Sequence, residues 1–456
     1  MTQNTTYQFD LALFPHGWQQ DARITVDASG TILATADDVK YAEHVPGVAI
    51  PGMPNSHSHA FQRAMAGLTE YRAAGRDNFW SWRERMYDFA LRLTPADATA
   101  IAAQLYVEML KAGYTTVAEF HYLHHDPAGK PYADRSVMAK AILDAAHSSG
   151  IGLTLLPTLY MTSDFGGLPP TEGQRRFINS TDAFLDLYTD LTSANGPQTR
   201  VGVALHSLRA VPPEAVHTIV TAVSGDPSLP VHIHAAEQMQ EVEACLATLK
   251  ARPVEWLLDN TNLGPNWCLI HATHMTADET RRLAASGAVA AVCPSTEGNL
   301  GDGFFPLIDY MAADGQLAIG TDSHISISPP EELRWLEYAQ RLQTQSRNVM
   351  ATDHMPHTGV RLWTAALEGG ARASGRPVGK LAPGQRADIL VLDPDSPALC
   401  GLQQDQILDG FVFSGQPTAL RHVMAGGRWV VRDGLHRDET DIAARYRQTM
   451  KKLLSV

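Results

Sequence analysis

The chain has 456 residues, 44% of them hydrophobic and 19% charged, with a formal net charge of −13. Such a length and composition suit a folded protein with a large core, as two or three domains or as one barrel taking most of the chain, and exclude long disorder. The acidic balance argues against nucleic acid or an anionic membrane as partner, and it would repel an acidic substrate at long range unless local arginines compensate.

Residues 1–50 read as short β segments, TYQFDLALF and then DARITVDASGTILAT around an Asp-Ala-Ser-Gly turn, and predict a small antiparallel sheet. No basic stretch followed by a long apolar run opens the chain, and no later run is long enough to span a bilayer, so a soluble protein is expected. From Val48 the texture changes to short apolar segments separated by helical patterns such as PADATAIAAQLYVEMLKA. Eight strand candidates follow in order: VAIPGMPNSHSH, TTVAEFHY, IGLTLLPTLY, RVGVALHSLR, LPVHIHAAE, WCLIHATH, AVAAVCPST and LAIGTDSH. This alternation predicts an α/β fold, a (β/α)8 TIM-type barrel over 51–378, whose site gathers at the C-terminal strand ends. Nearly every candidate ends in a polar or titratable residue.

Two insertions interrupt the pattern. Phe61 to Arg92, with FWSWRERMYDF, predicts a helix or lid after the first strand, its aromatics Phe79, Trp80 and Trp82 expected in core packing. Met161 to Asn195 opens on the Gly-Pro-rich run DFGGLPPTEGQRRF and is expected to be a mobile cover. After Gly369 β character returns, and residues 379–456 are expected to join 1–50 in one small β-sandwich domain built from both chain ends. Cys245, Cys268, Cys293 and Cys400 show no Cys-x-x-Cys spacing and read as reduced thiols of a cytoplasmic protein.

The strand ends carry the chemistry. His57 and His59 lie two apart on an extended segment, so both imidazoles point the same way and can meet one ion. Alone, such a pair is more readily coincidence than a metal site. The fifth candidate strand adds His234 and then Glu237, the sixth His271 and the eighth Asp322. His57, His59, His234 and Asp322 offer three nitrogens and one oxygen and leave a position for water, whose pKa a divalent cation would lower toward neutrality. Glu237 is placed to move protons, and His271 to orient the nucleophile or stabilise developing charge. His232, two residues before His234 and facing the same side, is an alternative ligand. His121, His124, His125, His274 and His324 receive no metal role.

In their order, PGMPNSHSH, HIHAAE, LIHATH, GTDSH and then LAPGQRADILVLD resemble the amidohydrolase superfamily, in its deaminase and chlorohydrolase branch, over almost the whole chain. That branch binds one metal; in agreement, the fourth candidate strand ends on His206 where a bridging lysine would otherwise stand. The motifs PGMPNSHSHAFQRAMAGL, FWSWRERMY, KAGYTTVAEFHYLHHD, EGQRRFINS, LHSLRAV and STEGNLGDGFFP narrow the resemblance to a deiminase of a small acidic substrate that carries two carboxylates and a cationic formimino group. The resemblance implies His57, His59, His234 and Asp322 as metal ligands, and Glu237, His271 and Asp322 as catalytic residues. It further implies Gln62, Arg83, Tyr122, His206 and Arg209 as substrate contacts, one divalent ion per subunit (zinc by default, iron or manganese in the same set), and a homodimer. Chemistry points the same way for Arg83 and Arg209, read here on separate loops: each suits a carboxylate, and together they supply the local positive field that the net charge withholds. Competing readings are a deaminase or dechlorinase of a purine, pyrimidine or triazine, and a non-catalytic scaffold of the same fold.

Overall fold

The structure, a computed structural model, describes residues 4–35, 41–71, 78–415 and 417–455. All eight candidate segments form strands: β1 (Met53–Ser58), β2 (Tyr114–His121), β3 (Gly152–Leu159), β4 (Val203–Ser207), β5 (Val231–Ala235), β6 (Trp267–His271), β7 (Val289–Val292) and β8 (Gln316–Ile319). They are parallel and hydrogen-bonded in chain order, with a short extra strand, Thr199–Val201, beside β3. A parallel bridge between Ser58 and Asp322 brings the last strand back to the first. Barrel strands are covered on both faces, so they lack polar alternation; β2 and β3 are buried at every position. Alternate residues divide between two apolar clusters, Ala118, Phe120, Leu156, Ala204 and Ile270 in one, Val117, Leu155, Leu205, Ile233 and Leu269 in the other.

Local sequence sets the helices between them. Thr94 caps Pro95–Ala112 by accepting from Asp97 N at 3.2 Å, while Asp97 Oδ2 accepts from Thr94 N at 2.9 Å. This reciprocal cap is worth on the order of 1 kcal/mol. Gly113, at φ 108°, ends the helix in a conformation that L side chains resist.

The chain ends share one eight-stranded sheet, in the order Leu435–His436, Arg428–Arg432, Leu420–Ala425, Ile389–Leu392, Glu43–Pro51, Thr5–Phe14, Gly17–Val26 and Ile32–Ala34. Its pairs are antiparallel except Thr5–Phe14 with Glu43–Pro51, which run parallel. The expected antiparallel sheet differs here because the chain reverses twice and then returns to the free edge of its first strand in that strand's own direction. Glu43–Pro51 runs through Gly52 straight into β1, so sheet and barrel share one continuous segment. The tail is also less β-rich than expected. Asp405–Phe413 is helical, and Glu439–Leu454 is a helix lying on Pro95–Ala112 through Lys111–Glu439 and Lys452–Asp97, at 2.7 and 2.6 Å. Its apolar face is the helical series Ile442, Tyr446, Met450 and Leu453.

Helix Thr358–Ser374 crosses under the barrel floor, where a Cβ at Gly369 would collide with the Leu317 carbonyl of β8. Gly369→Ala should therefore destabilise the protein by about 1–3 kcal/mol in urea unfolding, although alanine is the better helix former. A variant as stable as the parent would show that this approach is not tight.

Candidate active site

The functional side chains sit where strands end, on backbone that departs from strand geometry. Ala236, His271, Ala272, Asp322 and His324 all have φ between 47° and 68°, a left-handed conformation costing roughly 1–2 kcal/mol for a residue with a Cβ. Hydrogen bonds hold these turns. His57 O accepts from the backbone of Thr321 and Asp322, and His59 N donates to Asp322 O. Asn55 Oδ1 accepts from His57 N and Thr321 N, while its Nδ2 donates to Thr321 Oγ1 at 2.7 Å. Glu241 accepts from the backbone N–H groups of Ala236 and Glu237.

His57, His59, His234 and Asp322 converge. His57 Nε2 lies 3.0 Å from His234 Nε2 and 3.3 Å from Asp322 Oδ1, and His59 Nε2 lies 3.4 Å from the same oxygen. His59 Nδ1 bonds Phe120 O at 3.0 Å and His234 Nδ1 bonds His206 O at 2.8 Å. A carbonyl only accepts, so both Nδ1 atoms carry the proton and both Nε2 lone pairs face the centre. Burial, followed by the neighbouring imidazoles, holds His57 and His234 well below the ordinary histidine value, in the neutral form that ligates metal. These donors fit a divalent cation. His232 does not join them; it sits one layer down and bonds Ala373 O at 2.8 Å, which removes it as the alternative ligand. His324 is likewise occupied, by Thr321 Oγ1 and Ser58 Oγ.

His271 stands beside this cluster, its Nε2 3.7 Å from Glu237 Oε1 and 3.8 Å from Asp322 Oδ2, its Nδ1 3.1 Å from Glu297 Oε1. Burial pushes its pKa down, but Glu237, Glu297 and Asp322 outweigh burial and raise it to about 10. Burial raises the Glu237 carboxyl, helped by Asp322 and Glu241. Glu237, His271 and Asp302 bring ligand atoms within 4.8 Å of one another, with Asp302 held by Gln238 Nε2.

The pocket beside these residues is lined by all five expected substrate contacts: Gln62, Arg83, Tyr122, His206 and Arg209. Gln62 Nε2 donates to Tyr122 OH at 2.9 Å, leaving Gln62 Oε1 buried without a partner. Arg83 lies on helix Phe79–Ala90, not on a loop, and Asn78 caps that helix by accepting from Trp80 N and Ser81 N. The two arginines converge over one ring: their guanidinium carbons lie 4.3 and 5.9 Å from the Trp80 centroid. Nε and Nη1 of both are buried without partners, and neither guanidinium has a carboxylate partner within 4 Å among the described residues. Phe79 is buried and Trp82 packs against the core, as expected, and both also line this pocket. That follows from spacing, because Phe79, Trp82, Arg83, Met86 and Tyr87 share one helical face. Residues 72–77 of the same insertion lie outside the described residues. The expected cover, Met161 to Asn195, is anchored near its middle: Arg176 is fully buried and donates to the carbonyls of Ala90, Leu93 and His125.

Several residues near the site carried no role in the sequence reading: Glu119, Glu241, Glu297 and Asp302. Glu241 stands one helical turn beyond Glu237 and Glu297 inside STEGNLGDG, spacings that a search for buried carboxylates would have found. Glu119 accepts from Ser58 Oγ and Ala60 N under the two histidines, and burial raises its pKa to about 7.

A model of the amidohydrolase family matches residues 48–430. The chain is 50% identical to the formimidoylglutamate deiminase of Pseudomonas aeruginosa over 97% of this chain and 98% of that protein. It superposes on the crystal structure of an amidohydrolase from Brucella melitensis with TM-score 0.93 and 44% identity, over 99% of this chain and 100% of that one. An adenosine deaminase from Xanthomonas campestris, solved with bound zinc, shares the fold at TM-score 0.82 and 20% identity, over 99% of both chains.

Metal content tests the histidine cluster directly. Protein loaded with zinc and desalted should hold about one ion per chain by elemental analysis, the four-donor stoichiometry. His59→Ala or His234→Ala should lose most of it; full retention in both would place the ion elsewhere.

Proposed function

The chain belongs to the amidohydrolase family, and we propose that it hydrolyses N-formimino-L-glutamate to N-formyl-L-glutamate and ammonia. The observation that carries this reading is the pair Arg83 and Arg209. Arg209 is buried and Arg83 partly so, and the buried Nε and Nη1 of each lack partners, which is costly; a dicarboxylate in the pocket relieves that cost with charge-assisted hydrogen bonds. A purine or triazine ring would leave both cations unanswered. The similarity to a formimidoylglutamate deiminase supports the same substrate.

A divalent cation held by His57, His59, His234 and Asp322, zinc by default, would supply a water acidified toward neutral pH. The remaining chemistry falls to the side chains. Glu237, whose pKa burial raises, takes a proton from the water as its oxygen bonds the formimino carbon. It then delivers that proton to the terminal nitrogen; as the C–N bond breaks and the formyl C=O forms, the remaining hydroxyl proton passes through the same carboxylate to the departing ammonia, which leaves as ammonium. His271, held cationic by its three carboxylate neighbours, stabilises the oxygen on the tetrahedral carbon. Asp322 orients the water, and Gln62 Oε1 accepts an N–H of the formimino group. With this activity goes a place in histidine degradation, and we expect a cytoplasmic homodimer. Among the described residues no helix is long and apolar enough to cross a membrane.

Metal-replete protein should release ammonia from N-formimino-L-glutamate and not from guanine or cytosine. Turnover of a heterocycle alone would overturn the substrate. Glu237→Gln should lower kcat by roughly 10²–10⁴-fold with metal content retained, and full activity would remove it as the proton carrier.

A further inference from the structure

Beyond the arginines the pocket has a second wall, made of two phenols. Tyr87 stands one turn after Arg83 on the same helix, and Tyr160 follows the last residue of β3. Their hydroxyl oxygens are 3.4 Å apart, and both accept from a single group, Gln174 Nε2, at 3.2 and 2.8 Å. Gln174 is itself 1% exposed, so water does not compete for its amide.

The direction of these bonds is settled by the other end of the amide. Gln174 Oε1 receives the backbone N–H of Thr171 at 2.8 Å and the Thr171 hydroxyl at 3.2 Å, in the capping box of the short helix Glu172–Gln174. A backbone N–H can only donate, so the atom facing it is the oxygen and the NH2 must face the tyrosines. That NH2 can only donate in turn, so neither phenol proton points at Gln174. At most one is used between the two hydroxyls. At least one therefore remains for a pocket acceptor, on the wall beside the unpartnered guanidiniums.

We propose that Tyr87 and Tyr160 are the neutral half of a carboxylate clamp whose charged half is Arg83 and Arg209, with Gln174 as the positioning residue that turns the phenol protons toward the substrate. The assignment rests on the dicarboxylate reading above and extends it from charge to geometry. Two arginines over one indole would take any small anion. A directed O–H adds a fixed position, and a ligand without an acceptor there leaves a desolvated phenol unpaired, which is a basis for discrimination. Burial raises the pKa of Tyr160, so its donor keeps its proton beside the arginines.

The test crosses substitutions with substrates. KM and kcat would be measured for wild type, Tyr87→Phe, Tyr160→Phe and Gln174→Glu on N-formimino-L-glutamate and on its two mono-amides, each lacking one carboxylate charge. Tyr160→Phe should raise KM about 10- to 100-fold on the dicarboxylate, the range for a hydrogen bond to a charged group, with kcat changing far less. On the mono-amide that lacks the clamped carboxylate, this penalty should largely vanish. Gln174→Glu keeps the side-chain volume but offers an acceptor, turning the phenol protons away, so it should lose as much as the phenylalanine variants. A penalty equal on all three substrates, or no change in KM in any variant, overturns the clamp while the substrate reading stands. Absence of wild-type turnover of N-formimino-L-glutamate overturns both.

Discussion

The site depends on closing the barrel at one seam. β1 and β8 meet through the backbone of His57, His59, Thr321 and Asp322 and through the amide of Asn55, which bonds both strands at once. Those contacts bring together side chains 265 positions apart in sequence, as in His57 and Asp322 (322 − 57 = 265). A buried imidazole cluster is unfavourable alone, because each ring loses hydration and repels its neighbours when protonated. Peptide hydrogen bonds at the seam, not attraction among the rings, hold the arrangement together. The left-handed turns at Asp322 and His324 are the local cost of setting the Asp322 carboxylate against His57, His59 and His271.

Charge is distributed on the same logic. The chain carries −13 overall, yet the pocket places two guanidiniums side by side without carboxylate partners among the described residues. Long-range repulsion of an acidic ligand is screened within about 8 Å at physiological salt, whereas a buried guanidinium acts at contact. Selection for the anion is therefore a property of the pocket wall, and the surface charge remains free to serve solubility. At the other end, the carboxylates around His271 raise its pKa while burial and neighbouring rings lower that of His234, so one small cavity sets two imidazoles in opposite electrostatic surroundings.

The barrel was legible because each strand is short and apolar and nearly every one ends in a polar or titratable residue, a pattern set by burial on both faces and by chemistry at one rim. His57, His59, His234, His271 and Asp322 could be read because period-two spacing and strand-end position are properties of the chain itself. Spacing alone does not choose His234 over His232, a choice the sequence reading takes from the family resemblance, since both face inward and only depth in the barrel, where Ala373 O waits for His232, separates them. The parallel pair in the terminal sheet and the helix Glu439–Leu454 escaped for a related reason. The first depends on a crossing between distant edges, and the second on an apolar face matched to Pro95–Ala112.

Arg83 shows the limit most clearly. Its expected role comes from the family resemblance and from the fit of a guanidinium to a carboxylate, but the sequence reading sets it on a loop, and loops would have let the two arginines stand apart. The helix Phe79–Ala90 removes that freedom, because residues three, four, seven and eight positions on from Phe79 share its face. Trp80 then gives both cations a common surface at 4.3 and 5.9 Å. An indole face attracts a guanidinium but cannot neutralise it. Stacking thus preorganises two like charges against their mutual repulsion while leaving their N–H groups to be satisfied from the pocket, so the site is assembled for an anion that the protein itself does not provide.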